Sequence, residues 1–226
     1  MQNTKQLIII PAFNEEDSIY ELVIKAKDIC DVCVVDDGST DSTYEILSKI
    51  NDVKIIRNIE NKNISYSLLK GFEYAIDKKY QFIVTMDAGG GHSIDDVKKI
   101  LEYQDQDLVL SFRFKKTNTP IQRKLLSFLG NIIFNFIHFI KKDRNIYFND
   151  STSGLRGYSS KAVHELLKHN IKSKSFGFHM EALFSSLSSN QKIIHVPISY
   201  HFTNTSLSLS SIWDAIKTTA YLFLSR

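Results

Sequence analysis

The chain has 226 residues, enough for one well-buried domain and short for two. With 43% hydrophobic and 23% charged residues, its composition is that of an ordinary globular domain and excludes extended disorder. A net charge of +3 gives no global reason to bind nucleic acid. The two cysteines, Cys30 and Cys33, lack the second Cys or His pair that a zinc or redox site would need, so they read as reduced, buried thiols.

Along the chain, the polar stretch Met1–Gln6 and the short apolar run Leu7–Ile10 do not make a signal peptide. Leu7–Ile10 reads as a strand ending at Pro11, Ser18–Asp28 as a helix and Val32–Val35 as a second strand closed by Asp36, Asp37 and Gly38. Ser42–Ile50 is a helix, Val53–Arg57 a strand, Ser65–Lys78 a helix and Phe82–Met86 a strand. Ser93–Tyr103 is a helix and Leu108–Ser111 a strand. This alternation predicts a largely parallel sheet with helices on both faces. The second half is less regular. Pro120–Lys142 is one long helix opened by proline, Leu155–Tyr158 a strand, and Lys161–Lys168 and Met180–Ser188 helices. Ile193–Val196 is a strand and Ser211–Leu224 a terminal amphipathic helix. The serine-rich stretches Ser185–Ser189 and Ser206–Ser211 read as local loops or caps.

Three polar clusters follow strand ends, where open α/β sheets bind ligands. The first is Pro11–Glu16. In the second, Asp36 and Asp37 can accept hydrogen bonds from a base N–H and ribose hydroxyls, while Gly38 allows a tight turn. The third is Asp87-Ala88-Gly89-Gly90-Gly91-His92, where one carboxylate can meet a ribose or a diphosphate-bound metal. Each cluster alone is equally well read as turn and cap chemistry. No GxGxxG follows the first strand, which argues against a nicotinamide enzyme.

Together, and in order, the clusters resemble family 2 of the glycosyltransferases, with closest likeness to the dolichyl-phosphate mannosyltransferases and bacterial polyprenyl-phosphate glycosyltransferases. Residues 11–16 match the opening P-x-x-N-E, and residues 34–43 match VVDDGSxDxT. Residues 61–75 resemble the Gly/Ala-spaced segment, with Gly71 and Ala75 kept. Met86–His92 stands at the DxD motif, Leu110–Phe114 at the Ser-Arg segment and Asp150–Gly154 at D-x-x-S-G. Gly177–Glu181 and Ile194–Tyr200 match later motifs. The resemblance implies a single GT-A Rossmann-like α/β domain with a mixed, mostly parallel sheet. Residues 1–112 would be the nucleotide-sugar-binding half and residues 113–226 the acceptor-binding half. It also implies that Pro11, Phe13, Glu15, Asp36 and Asp37 hold the nucleoside, with Asp87 and the Ala88 backbone beside ribose and diphosphate. Arg113, Arg123 and Ser127 would contact an acceptor phosphate.

The chain departs from the family twice. Glycine replaces the second DxD carboxylate and the amide after it, which leaves Asp87, and His92 more plausibly for Mn²⁺ than for Mg²⁺, as ligands for a divalent cation. The basic loop R-x-x-G-x-S-K becomes Thr203–Ser208, without its cations.

On the long helix, Arg123, Ser127, Asn131, Asn135 and His138 form a polar stripe beside the apolar line Leu125, Leu129, Ile132, Phe136 and Ile140. Arg113, Lys115, Lys116, Arg123 and Lys124 precede this apolar segment, and Lys141, Lys142 and Arg144 follow it. At 16 residues, Leu125–Ile140 falls short of the roughly 20 a membrane span needs. It reads either as a core helix with a solvated polar face or as an interfacial helix flanked by cations suited to anionic lipid. The expectation is an inverting transferase of the cell envelope. It would be cytoplasmic and peripheral at the inner membrane face, taking a nucleotide-sugar donor and a lipid-phosphate acceptor. A hydroxyl acceptor would need a general base, for which Asp150 and Glu181 are the candidates. A binding protein that has lost catalysis is the third reading, and self-association stays open.

Overall fold

Residues 4–141, 146–175, 177–187, 191–202 and 209–224 are described by the computed structural model, with residues 209–212 described through the backbone. Residues 7 to 10 are fully buried and form the heart of β1 (Gln6–Ala12). Both faces of this strand are covered, so it is uniformly apolar rather than alternating. It pairs in parallel with β2 (Asp31–Asp36) and β4 (Phe82–Thr85), and β2 pairs in parallel with β3 (Lys54–Arg57). The crossovers are α1 (Ile19–Lys27), α2 (Thr43–Ser48) and α3 (Ile64–Asp77). After β4 come α4 (Ile94–Leu101), β5 (Leu108–Thr117), α5 (Ile121–Lys141), β6 (Arg156–Ser159), α6 (Ser160–Leu167), α7 (Gly177–Ser186), β7 (Ile193–His201) and α8 (Leu209–Leu224).

The seven strands lie in the order β3-β2-β1-β4-β6-β5-β7. β6 runs antiparallel to both its neighbours, and β5 and β7 are parallel. All strands but β6 therefore point the same way. The loop entering β6 at residues 150–155 consequently lies at the same edge as the loops leaving β1, β2 and β4. That edge gathers the site. Side chains alternate between two cores. Leu7, Ile9 and Val35 pack with Phe72, Phe134 and Phe178, and Ile8, Ile10 and Val34 pack with Ile19, Leu47 and Val97. Cys30 and Cys33 are free thiols, and burial pushes both up to about 12.

The expected elements are all present, with two extensions. β5 and β7 run on together past Ser111 and Val196 to Thr117 and His201, which carries Arg113 and Tyr200 to the site edge. Ser185 and Ser186 belong to α7, and α8 begins at Leu209, so these parts of the serine runs are helical rather than loop. Lys142, Arg144, Ser188, Ser189 and the Thr203–Ser208 loop lie outside the described residues.

The long helix α5 packs opposite to an ordinary surface helix. Its polar stripe faces inward: Asn131 and His138 are buried beside Phe134 and Ile137. Its apolar line faces outward, with Leu125, Leu129, Ile132, Phe136 and Ile140 all exposed. The solvated polar face expected of a core helix is thus the buried one. No described helix is long and apolar enough to cross a membrane.

Candidate active site

The loops after β1 and β2 brace one another. The Asn14 N–H donates to Ser39 Oγ at 3.0 Å, and Asn14 Oδ1 accepts from the Thr40 N–H at 2.9 Å. The Glu15 N–H donates to Thr43 Oγ1 at 2.8 Å. Gly38 has a positive φ of 72°, and a Cβ there would stand 2.6 Å from the backbone of Glu60. Its neighbours diverge in role. Asp36 is fully buried. Its Oδ1 accepts from the Ser39 N–H at 3.1 Å, and Oδ2 lies 3.2 Å from Arg57 Nε. Asp37 faces the cleft but also ties down the incoming loop. Its Oδ1 accepts from Asn58 Nδ2 at 2.7 Å and the Lys62 N–H at 3.0 Å, and its Oδ2 accepts from the Asn63 N–H at 2.8 Å. A carboxylate offers about four acceptor positions, so one remains for a ligand N–H or O–H.

These loops form one wall of a cleft of about 1090 Å³ whose lining includes Pro11, Phe13, Glu15, Asp37, Asp87 and Ala88. Burial is the main cause that raises the Glu15 carboxyl above its usual range; Asp87 adds to it. Asp87 opens to the cleft with 39% of its side chain exposed and is held from behind by His92, whose Nε2 lies 3.2 Å from Asp87 Oδ2. Burial works to raise the Asp87 carboxyl, but the hydrogen bond and charge of His92, joined by the charges of His179 and Arg113, together bring the group down to about 2. Gly154 makes room for this carboxylate: a Cβ there would fall 2.7 Å from Asp87 Oδ1. At Gly91 a Cβ would meet the Tyr200 ring at 2.6 Å, so the ring fills the space a side chain would take. His179 also lines the cleft, and burial, aided by the Arg156 charge, lowers its imidazole to about 3.

The donor set bears on a metal. Gly89 and Gly91 offer no side-chain oxygen, and one oxygen of Asp87 faces His92. A hard divalent cation takes six or more oxygens. The residues present therefore do not fit a cation held by the protein alone.

Across the cleft, β5 presents Arg113. Its Nε donates to Asp150 Oδ2 at 2.7 Å, and one terminal nitrogen donates to Asp150 Oδ1 at 2.9 Å, Thr152 Oγ1 at 2.6 Å and Ser127 Oγ at 3.0 Å. Burial works to raise the Asp150 carboxyl, but the charge and hydrogen bonds of Arg113 hold it far below the usual carboxylate range. The loop carrying Asp150 is fixed by the buried stripe of α5. Asn131 Nδ2 donates to the carbonyls of Phe148 and Asn149, and Asn131 Oδ1 accepts from the Ser151 N–H at 2.8 Å. Asn135 exchanges hydrogen bonds with the Phe148 backbone in both directions.

Beside Arg113 opens a second cavity of about 680 Å³, a groove between α5 and α8. Its walls are apolar, including Leu126, Ile133, Ile216 and Phe223, and its polar end holds Arg113, Lys116 and Arg123. Arg113, Arg123, Thr152, Tyr200 and Phe202 line both cavities, so the two meet there. The Arg123 guanidinium stacks 4.6 Å above the Phe202 ring.

Most residues singled out from the sequence line this double cavity, but three do not behave as expected. Asp36 lines neither cavity and shapes the turn beneath Asp37. Asp150 is strongly acidic and committed to Arg113, which makes it a poor base. Glu181 is buried, and its two oxygens accept from the Lys172 N–H at 2.8 Å and the Ser173 N–H at 2.7 Å, so it braces a loop. Lys174, His179 and Trp213, from beyond residue 112, line the larger cleft together with residues of the first half. Sequence reasoning missed Tyr200, Thr152 and His179. All three lay inside quoted motifs, but only the folded chain shows that they converge on one cleft.

The family model for glycosyl transferase family 2 matches residues 7–167. The UDP-N-acetylglucosamine–dolichyl-phosphate N-acetylglucosaminyltransferase of Methanococcus voltae is 29% identical, over 89% of this chain and 87% of that one. The undecaprenyl-phosphate mannosyltransferase of Micrococcus luteus is 27% identical, over 86% and 82%. In fold, the chain resembles the glucosyl-3-phosphoglycerate synthase of Mycobacterium tuberculosis, solved with Mn²⁺, UDP and phosphoglyceric acid. The TM-score is 0.72 at 15% identity, covering 99% of this chain and 78% of that one. The order of the strand-end motifs, the mixed sheet and the family match agree: the chain belongs to glycosyl transferase family 2 and is a glycosyltransferase of GT-A fold.

Proposed function

We propose that the enzyme transfers a sugar from a nucleotide-sugar to a polyprenyl phosphate, with inversion at the anomeric carbon. One observation carries this reading: an apolar groove opens at its cationic end, Arg113 and Arg123, into a polar cleft framed by Asp37 and Asp87. A ligand that is a long hydrocarbon ending in phosphate matches the groove, and a nucleoside diphosphate matches the cleft. The two relatives compared above are named for transfer to dolichyl and undecaprenyl phosphate, which supports the same acceptor class.

In this arrangement a phosphate oxygen of the acceptor attacks the anomeric carbon. The bond from that carbon to the donor diphosphate breaks, and the electron pair leaves with the nucleoside diphosphate. A phosphomonoester has its second pKa near about 6, so the nucleophile is already ionised at neutral pH and no general base is required. Asp150 then serves to aim Arg113 rather than to take a proton. Guanidinium forks suit a phosphate, and Arg113 and Arg123 from two elements can grip it from two sides. A cation arriving on the donor diphosphate would find Asp87 as its carboxylate ligand; the steps above depend on none.

The exposed apolar faces of α5 and α8, bordered by Lys115, Lys116 and Lys124, suit the surface of an anionic membrane, from which the acceptor would enter the groove. The test incubates the protein with labelled UDP- and GDP-sugars and vesicles containing undecaprenyl phosphate. The expected product is an organic-extractable, acid-labile glycosyl phosphate of inverted anomeric configuration. Label that becomes only water-soluble, or retained configuration, rejects the reading.

A further inference from the structure

We propose that Lys174 and Lys217 form a cationic clamp on the donor diphosphate, taking over charge neutralisation that a carboxylate-held metal would otherwise supply. The inference rests on reading the cleft of Asp37 and Asp87 as the donor site. That cleft must accommodate the negative charge of a diphosphate, yet its glycine-rich loop contributes one carboxylate as a metal ligand, and Tyr200 occupies the room beside Gly91. Of the other cations lining the cleft, Arg113 and Arg123 both stand at its junction with the apolar groove, where the acceptor phosphate would lie. Lys174 and Lys217 remain, and both line the cleft.

The two lysines come from different elements that are locked together. Lys217 lies on α8 three residues after Asp214, on the same face of the helix. Asp214 reaches the loop that carries Lys174. Its Oδ1 accepts from the Lys174 N–H at 3.0 Å, and Oδ2 accepts from the Ser175 N–H at 2.9 Å and Ser173 Oγ at 2.6 Å. Glu181 fixes the same loop from the other side through the Lys172 and Ser173 N–H groups. Four backbone N–H groups of residues 172–175 are thus held by two carboxylates, and the lysine side chains extend from a fixed frame. Among the described residues, neither ammonium group makes an ion pair, so both charges are available to a ligand. Each is a compact point charge with three donors, suited to spreading over diphosphate oxygens.

The test is calorimetric titration of the full chain with UDP and GDP, first in EDTA and then in Mn²⁺, for the wild type and Lys174→Ala/Lys217→Ala. Melting curves check that the variant is folded. The clamp predicts that the better-bound diphosphate binds the wild type in EDTA, and that the variant binds it about tenfold or more weakly, since charge-assisted hydrogen bonds are lost. Affinity for the matching nucleoside monophosphate changes less. Equal diphosphate affinity of wild type and variant in EDTA overturns the clamp. Binding by the wild type only when Mn²⁺ is present also overturns it and leaves the donor-site reading standing. No binding of either diphosphate in either condition removes the donor-site reading, and the clamp with it.

Discussion

Helices α3 and α5 both carry one apolar and one polar face, yet they are set in opposite senses. In α3, Leu68, Phe72 and Ala75 are buried against the sheet, and Lys70 and Glu73 pair toward solvent. In α5 the buried side sets Asn131 and His138 beside Phe134 and Ile137, and a second apolar strip is left outside. Periodicity shows that a helix has two faces; what the neighbouring segment needs decides which is turned inward. Beneath α5 lies the irregular segment 148–152, whose backbone N–H and C=O groups lack strand partners and must be satisfied by side chains. Asn131 and Asn135 do this, and so fix Asp150 and Thr152 around Arg113. The same rotation leaves a broad apolar surface exposed, which in soluble domains marks a contact site. On the proposed function, one helix shapes the acceptor-phosphate site with one face and offers the other to lipid.

The contrast can be broken by mutation. The largest effect is expected at Arg113→Ala, which strands the buried Asp150 carboxylate and should cost about 3–5 kcal/mol in denaturant unfolding. Phe72→Ala in α3 should cost a similar amount, about 3–5 kcal/mol, through lost core packing. Asn131→Ala leaves backbone groups of the 148–151 segment unsatisfied and should cost about 1–3 kcal/mol, with a fall in transfer rate that Leu68→Ala in α3, which lines neither cavity, does not share at equal stability. Phe136→Ala on the outer face of α5 should change stability by less than about 0.5 kcal/mol, yet weaken binding to anionic vesicles. If Phe136→Ala instead destabilises as Phe72→Ala does, the outer face of α5 is part of the core.

A gentler test is pH. Burial holds the His179 imidazole down to about 3 in the folded chain, against an ordinary 6.5, so the unfolded chain binds the proton first. Stability should therefore fall as pH drops below about 6.5 and continue to fall toward about 3, with a slope of at most about 1.4 kcal/mol per pH unit from this group. His179→Gln should flatten that part of the melting-temperature profile; an unchanged slope contradicts the assignment.

Much of this was legible in the sequence because strand ends dictate where side chains gather. Apolar runs of strand length, each followed by Asn, Asp or Gly, were enough to place residues 11–16, 36–39 and 87–92 on one edge. What stayed hidden depended on partners distant in the chain. Asp36 and Asp37 are adjacent and chemically identical, and only the pleat sends one beneath the turn and the other into the cleft. Glu181 has a sequence setting open to a catalytic base, but the N–H groups of Lys172 and Ser173 donate to its two oxygens. The extension of β5 lacked an apolar signature because residues 112–117 are largely polar and partly exposed. Pairing with β7, not burial, keeps it extended.

The central claim is that the acceptor is a lipid phosphate gripped at the junction of groove and cleft. The most direct measurement compares transfer to undecaprenyl phosphate, undecaprenol and a free sugar by the wild type, Arg123→Ala and Arg123→Lys. The account predicts transfer to the phosphate alone. It also predicts a loss of about 10- to 100-fold in Arg123→Ala, from the missing charge-assisted bonds, and poor rescue by lysine, which lacks the two-pronged donor geometry. Transfer to undecaprenol or the free sugar, at wild-type rates in Arg123→Ala, would contradict it.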